Sequence, residues 1–72
     1  MEYFNVSSSK DALAWMKNNP RKELYDEYGN YFVYVNEHIE FFYKVDEWDF
    51  DFVKFDEEEF LRRFDNIKLS EI

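Results

Sequence analysis

Cysteine is absent from this chain of 72 residues, and glycine, proline and histidine occur once each. Without cysteine the chain can form neither a disulfide nor a thiolate metal site. Zinc sites need several histidine or cysteine ligands, and phosphate-binding loops need several glycines, so both are excluded by composition. No apolar run approaches the ~20 residues of a membrane-spanning helix. We therefore expect no cofactor, no metal and no membrane partner.

The beginning of the chain lacks the features of a secretory signal. Residues Met1 to Asn5 include no basic group and open no apolar run. The absence of cysteine is also typical of a reducing compartment. We predict a single domain over residues 1–72, located in the cytoplasm.

Residues suited to catalysis are scarce. A nucleophilic site needs serine, threonine or cysteine beside a base. The one histidine, His38, lies next to a predicted turn, and the serines at 7–9 are better explained as a helix cap. Asp49 and Asp51 match two positions of a calcium-binding EF-hand loop, but Phe52 stands where the loop's glycine should follow. We predict that the protein is not an enzyme and has no catalytic residue.

Basic residues are fewer than acidic ones: the chain contains nine Lys and Arg and seventeen Asp and Glu, and its net charge is −8. Phosphate binding requires a basic face, so a direct nucleic-acid ligand and an anionic membrane surface are both excluded. The imbalance is local, because residues 46–59 contain eight acids and a single base. This segregation of charge is the strongest functional signal in the sequence.

Aromatic residues are abundant, at 24% of the chain, and supply enough apolar area for a core in a small domain. Residues 2–6 predict a strand, and Ser8 predicts the N-cap of a helix that ends before Pro20. Asp26 and Gly29 fit the first and fourth positions of a type I turn. Asn36 and Glu37 fit a two-residue hairpin loop.

These turns fix the register of three strands. They pair Leu24 with Phe32, and Tyr34 with Ile39. One sheet face then collects Leu24, Phe32, Tyr34, Ile39, Phe41, Tyr43 and Val45. The other face collects Tyr25, Tyr31, Val33, Val35, Phe42, His38, Glu40 and Lys44.

The segment from Trp48 to Phe52 alternates aromatic and acidic residues and predicts a further strand, with its rings toward the core and its aspartates toward solvent. Asp56 predicts the cap of a second helix, with Phe55 and Phe60 as a hydrophobic staple. Residues 66–69 fit a short closing strand. The predicted fold class is α+β: an antiparallel sheet of about four or five strands with two helices on one face, in the order β-α-β-β-β-β-α(-β).

The acidic run has three interpretations. It can be a solvated strand followed by a dipole-matched helix start. It can mimic the charge of a nucleic-acid backbone. Carboxylates on alternate residues of a strand lie about 6.6–6.8 Å apart, which is the scale on which such a backbone displays its charges. It can also steer docking to any basic protein. The candidate partner-binding residues are Asp46, Glu47, Asp49, Asp51, Glu57, Glu58 and Glu59, with Trp48 or Tyr43 as candidate anchors.

The second sheet face offers another candidate interface, because two helices cover only one side of a sheet. Exposed apolar patches of several hundred Å² mark contact surfaces. The candidate residues are Tyr25, Tyr31, Val33, Val35 and Phe42. Coverage by the closing segment or by a bent sheet is the structural alternative, and a homodimer is the simplest functional one.

The chain carries no family motif that could be transferred residue by residue. In general character it resembles small acidic proteins of phages and mobile elements that inhibit host nucleic-acid enzymes. Its wealth of Phe, Tyr, Asn, Lys, Asp and Glu suggests an AT-rich genome. We predict a non-enzymatic inhibitor that occludes a basic protein surface by charge mimicry. The alternative is a structural or regulatory homodimer whose charge serves solubility.

Overall fold

The fold alternates short strands with two helices, as the turn and cap signals predict. The computed structural model describes the backbone of residues 4–6, 8–64 and 68–71, and the side chains of residues 8–64 and 68–70. The elements in chain order are β1 (Phe4–Val6), α1 (Ser9–Asn18), β2 (Leu24–Tyr25), β3 (Tyr31–Val35), β4 (His38–Lys44), β5 (Phe50–Phe55), α2 (Glu57–Arg63) and β6 (Leu69–Glu71).

All the strand pairs are antiparallel and form one sheet in the order β1-β6-β2-β3-β4-β5. The described residues give six strands, and the sixth is the closing strand that the predicted order included as a possibility; it inserts between β1 and β2. The predicted α+β class and element order are confirmed. The closing strand begins at Leu69, three residues after the predicted start at residue 66. Residues 65–67 lie outside the described part of the chain.

Turn chemistry sets the two central hairpins in the predicted register, with Leu24 opposite Phe32 and Tyr34 opposite Ile39. The first turn needs a positive φ, and its single glycine, Gly29, supplies it at 87°. In the second turn Asn36 and Glu37 adopt φ values of 52° and 67°. Two consecutive positive φ values match the twist of the flanking strands, which explains the tight connection.

Both helices begin at the predicted caps. The Ser8 side chain accepts a hydrogen bond from the Asp11 backbone N at 3.2 Å, and the Asp56 side chain accepts one from the Glu59 backbone N at 2.7 Å. The helices pack against each other, and Ser9 Oγ, at a buried position, donates to the Leu61 carbonyl at 3.1 Å.

The core lies between this helix pair and one face of the sheet. Phe32 is completely buried at its centre, and its ring stacks on Phe41 with 4.5 Å between centroids. The rings of Phe60 and Phe64 meet it edge-on at 5.4 and 5.0 Å. The buried cluster comprises Ala12, Leu13, Met16, Leu24, Phe32, Ile39, Phe55, Phe60 and Leu69.

The prediction for the segment around β5 is wrong in its bounds and in its orientation. Trp48 and Asp49 precede the strand, which begins at Phe50. Phe52 pairs with Phe42 and therefore lies on the face away from the helices, where Phe50 and Phe52 are 43% and 47% exposed. Asp51 is exposed too, but its position is on the helix-bearing side of the sheet.

The reason for the reversed orientation is the buried position of Phe55. Its ring packs edge-on against Phe64 at 5.2 Å, so Phe55 must face the helices. Side chains alternate between the two faces of a strand, so Phe52 and Phe50 must then face the other way.

No helix within the described residues has the length and apolar character needed to cross a membrane.

Candidate protein-binding surface

The sheet face opposite the helices displays a row of aromatic rings, which we call the open face. All five residues predicted for this face lie on it, and β5 adds Phe50 and Phe52. Neighbouring ring centroids are 5.2 Å apart for Tyr25 and Tyr31, 4.9 Å for Tyr31 and Phe42, and 5.3 Å for Phe42 and Phe52. The open face consists of Tyr25, Tyr31, Val33, Val35, Phe42, Phe50 and Phe52, with His38, Glu40, Lys44 and Lys54 among them.

Exposure of these apolar side chains increases toward β5. Val33, on the central strand β3, is 9% exposed, whereas Tyr31 and Phe42 are half-buried. Phe50 and Phe52, on the edge strand, are exposed. The accessible apolar surface is therefore concentrated at the β5 side of the sheet.

Tyr25 lies at the other side of the aromatic row. Its hydroxyl donates a hydrogen bond to Glu23 Oε2, which raises the pKa of Tyr25 to about 12. At neutral pH this hydroxyl therefore stays protonated, and Tyr25 adds no negative charge to the open face.

Two hairpin loops adjoin the open face at the start of β5; together, residues 26–30 and 45–49 are called the loop end. Asn30 Oδ1 accepts a hydrogen bond from the Lys44 backbone N at 3.0 Å and so joins the first loop to the strand that leads into the second. The loop end presents two aromatic side chains to solvent, Tyr28 at 75% and Trp48 at 84% exposure.

Asp46 organises the second loop. Its Oδ1 accepts hydrogen bonds from the backbone N atoms of Trp48 at 2.8 Å and of Asp49 at 2.9 Å, and these bonds lower the pKa of Asp46. The Val45 backbone N donates to the Asp49 carbonyl at 3.1 Å and closes the loop. This arrangement orders the backbone of the loop that carries the exposed Trp48 side chain, and the hydrogen bonds favour the ionised form of Asp46.

The seven candidate acids form two groups rather than one patch. Asp46, Glu47 and Asp49 lie in the loop before β5, with Asp51 near the start of the strand, and residues 57–59 lie beyond its far end. An extended strand of this length spans about 17 Å. The seven acids therefore do not form one continuous surface patch, because β5 continues to Phe55 and separates them.

The two acidic groups also differ in their partners. Glu57 Oε1 is 3.2 Å from Lys17 Nζ, and Glu59 Oε2 is 3.4 Å from Arg63 Nε. Among the residues whose side chains are described, no ion pair involves an acid of the loop end or Asp51. Glu57 and Glu59 thus contribute to the fold, whereas the acids of the loop end form no ion pair within the same part of the chain.

Glu57 makes the fold sensitive to acid. The Tyr34 hydroxyl donates to Glu57 Oε2 at 2.8 Å, and this bond, with Lys17, lowers the pKa of Glu57 from the ordinary 4.5. A depressed folded-state pKa stabilises the protein above about pH 4.5, and this contribution is lost as the pH falls through the folded-state value. We expect Tyr34→Phe to lose less unfolding free energy than the unmodified protein when the pH drops from 7 to 3.

Urea denaturation at both pH values measures this difference. Tyr43→Phe is the matched control, because the Tyr43 hydroxyl forms no hydrogen bond within the described side chains. We expect Tyr43→Phe to lose as much unfolding free energy between pH 7 and pH 3 as the unmodified protein does. Equal acid dependence in both variants would contradict the role of the Tyr34 hydroxyl.

Sequence reasoning placed some surface residues correctly and missed others. Trp48 is exposed, as an anchor must be, but Tyr43 is half-buried on the helix-bearing face beside Phe41. Phe50 and Phe52 were missed as surface residues because their alternation was assigned to the wrong face. Tyr28 was overlooked, although its place in the turn before Gly29 is a signal for exposure.

The described side chains include no group of three or more His, Asp or Glu residues that could hold a metal ion. Comparisons with protein-family models, with curated proteins and with solved structures give no match for this chain.

Proposed function

We propose that this protein is a non-enzymatic binding protein that covers a basic surface of another protein. The observation that carries the proposal is the union, at one end of the molecule, of exposed apolar side chains with acids that form no ion pair among the side chains the structure describes. Trp48, Phe50 and Phe52 supply apolar contact area. The acids that supply charge are Asp46, Glu47, Asp49 and Asp51.

The two features suit one type of ligand. Arginine and lysine side chains stack on exposed aromatic rings and pair with carboxylates. Aromatic residues are enriched in protein interfaces, and a concentrated charge accelerates encounter with a partner of opposite sign. A basic protein surface can stack on the rings and pair with the acids, whereas a neutral surface would contact the rings but leave the acids unpaired.

The proposed action is inhibition by occlusion of a surface that binds nucleic acid. Charge mimicry then rests on the loop end and Asp51, because Glu57 and Glu59 of α2 are paired within the fold. Such an inhibitor would act in the cytoplasm, and its general character favours an origin in a phage or mobile element. The net charge of −8 supports this direction of binding and disfavours nucleic acid as a direct ligand.

A second candidate function is a structural or regulatory homodimer. The observation that favours it is the row of stacked rings on the open face, which neither helix covers, since two such faces could pack as a sandwich. Sedimentation at several protein and salt concentrations separates the two functions. A salt-insensitive dimer supports assembly, and a monomer that captures a partner in a salt-sensitive manner supports occlusion.

Capture from a bacterial lysate tests the proposed function. The immobilised protein is exposed to lysate at low salt, eluted with a salt step, and the eluted proteins are identified by mass. We expect a basic, nucleic-acid-binding protein that dissociates as the salt concentration rises, because the contacts are electrostatic. Recovery of no basic protein, or of one that salt does not release, would contradict the proposal.

A further inference from the structure

The edge of the sheet formed by β5 is unpaired within the described residues. β5 pairs with β4 on one side only and ends the strand order. Five of its six residues are exposed, and Phe55 alone is buried. Edge strands are usually protected by charge, proline or a covering element, because their free backbone groups accept another strand.

One hydrogen bond shows which backbone groups of β5 point away from β4. The Phe52 backbone N donates to Asp51 Oδ1 at 2.8 Å. This N–H group is therefore directed away from β4. In an antiparallel pair the backbone groups of alternate residues point toward the same side, so those of Phe50 and Lys54 also face the free edge. The edge thus offers three alternate pairing positions, Phe50, Phe52 and Lys54, whose side chains lie on the open face, and at Phe52 an added strand would replace the Asp51 carboxylate as the acceptor.

The charges around this edge discriminate between two binding partners, a second copy of this chain and a basic segment of another protein. Carboxylates flank β5 at both ends, at Asp49 and at Asp56 to Glu58, and Lys54 is its only cation. An antiparallel pairing with a second copy would bring the acidic start of one β5 next to the acidic end of the other. Like charges in opposition are destabilising. A segment with basic residues at its ends and apolar residues between them has the complementary pattern.

We propose that an extended, basic segment of the partner protein adds to β5 as a further strand of the sheet. This inference rests on the proposed function and specifies how the partner docks. Main-chain hydrogen bonds to Phe50, Phe52 and Lys54 supply affinity, as in other cases of strand addition. The alternate apolar side chains of the added strand extend the aromatic row of the open face, and its Lys or Arg residues near the loop end pair with Asp49 and the neighbouring acids of residues 45–49.

Two synthetic peptides of equal charge test the docking mode. The first, KRTVTVTRK, can form a strand, and the second, KRTPTPTRK, cannot, because proline removes two donors and disfavours pairing. Each backbone hydrogen bond contributes about fivefold to affinity, so we expect the first peptide to bind at least about tenfold more tightly. Its binding is expected to shift the backbone amide NMR signals of Phe50, Phe52 and Lys54.

A backbone-modified protein provides an independent measurement. Chemical synthesis with N-methylated Phe52 removes the outward N–H and leaves every side chain intact. We expect its affinity for KRTVTVTRK to fall by about fivefold, because one hydrogen bond is lost, while circular dichroism shows an unchanged fold. N-methylation at Glu58, whose backbone N–H lies in the first turn of α2 and has no acceptor within the described residues, is the control and should leave binding unchanged.

The outcomes separate this inference from the proposed function. Equal binding of the two peptides, with shifts confined to residues 45–49, would overturn strand addition and leave a purely electrostatic binding protein. Capture of a basic protein without any shift in β5 from either peptide would overturn it as well. If neither peptide binds and no basic protein is captured, the proposed function fails together with the docking mode.

Discussion

Replacing Phe32 with alanine is expected to remove about half of the unfolding free energy. Phe32 is completely buried and touches the rings of Phe41, Phe60 and Phe64. Truncation of a buried phenylalanine costs about 3–5 kcal/mol, because apolar burial is lost and a cavity remains. A chain of this length, at roughly 0.05–0.15 kcal/mol per residue, has a total of about 4–11 kcal/mol.

Urea denaturation followed by circular dichroism measures this effect. Phe50→Ala is the matched control, since it removes the same atoms from an exposed ring on the open face, and we expect a loss of less than about 1 kcal/mol. The denaturation midpoint of Phe32→Ala should therefore lie far below that of Phe50→Ala. Equal midpoints would show that the helix-bearing face is not the core of this protein.

The second large effect concerns binding. The double change Asp49→Lys with Asp51→Lys is expected to abolish partner capture at low salt. It replaces two acids that form no ion pair within the described side chains with bases, at the start of β5, and changes the net charge by four units. Loss of electrostatic steering alone slows association by about 10–1000-fold, and repulsion between like charges weakens the complex further.

The fold should survive this double change. Both side chains are exposed. Within the described residues, the two carboxylates accept one hydrogen bond, which the Phe52 backbone N donates to Asp51, and the double change removes it. The matched control is Glu37→Lys with Glu58→Lys, which alters the net charge equally but at the far end of β5. We expect the control to keep most of the binding. Equal loss in both variants would show that total charge, rather than the loop end, governs capture.

Local chemistry made much of the fold predictable from the sequence. Asp26 with Gly29, and Asn36 with Glu37, specify turns of defined length, and a defined turn fixes the register of its hairpin. Ser8 and Asp56 each satisfy free backbone N–H groups at a helix start, which made both helix boundaries readable. Short-range interactions of this kind act within a few residues, so they can be read directly from the chain.

The errors arose where long-range packing decides. The alternation from Trp48 to Phe52 gives two faces but cannot indicate which of them the helices cover, and the burial of Phe55 settles that choice. The insertion of β6 between β1 and β2 joins residues far apart in the chain. The loop end was likewise not predictable as a unit, since the bond from Lys44 to Asn30 brings together two loops that share no sequence pattern.

NMR mapping of the captured complex tests the binding surface most directly. On addition of the basic protein recovered from the lysate, we expect the backbone signals of residues 45–54 and the Trp48 indole signal to shift or broaden. The signals of α1 and α2 should stay unchanged, because the helices lie on the opposite side of the sheet. Changes concentrated on the helices, with β5 and Trp48 unaffected, would contradict the assignment of the open face and loop end as the place where the partner binds.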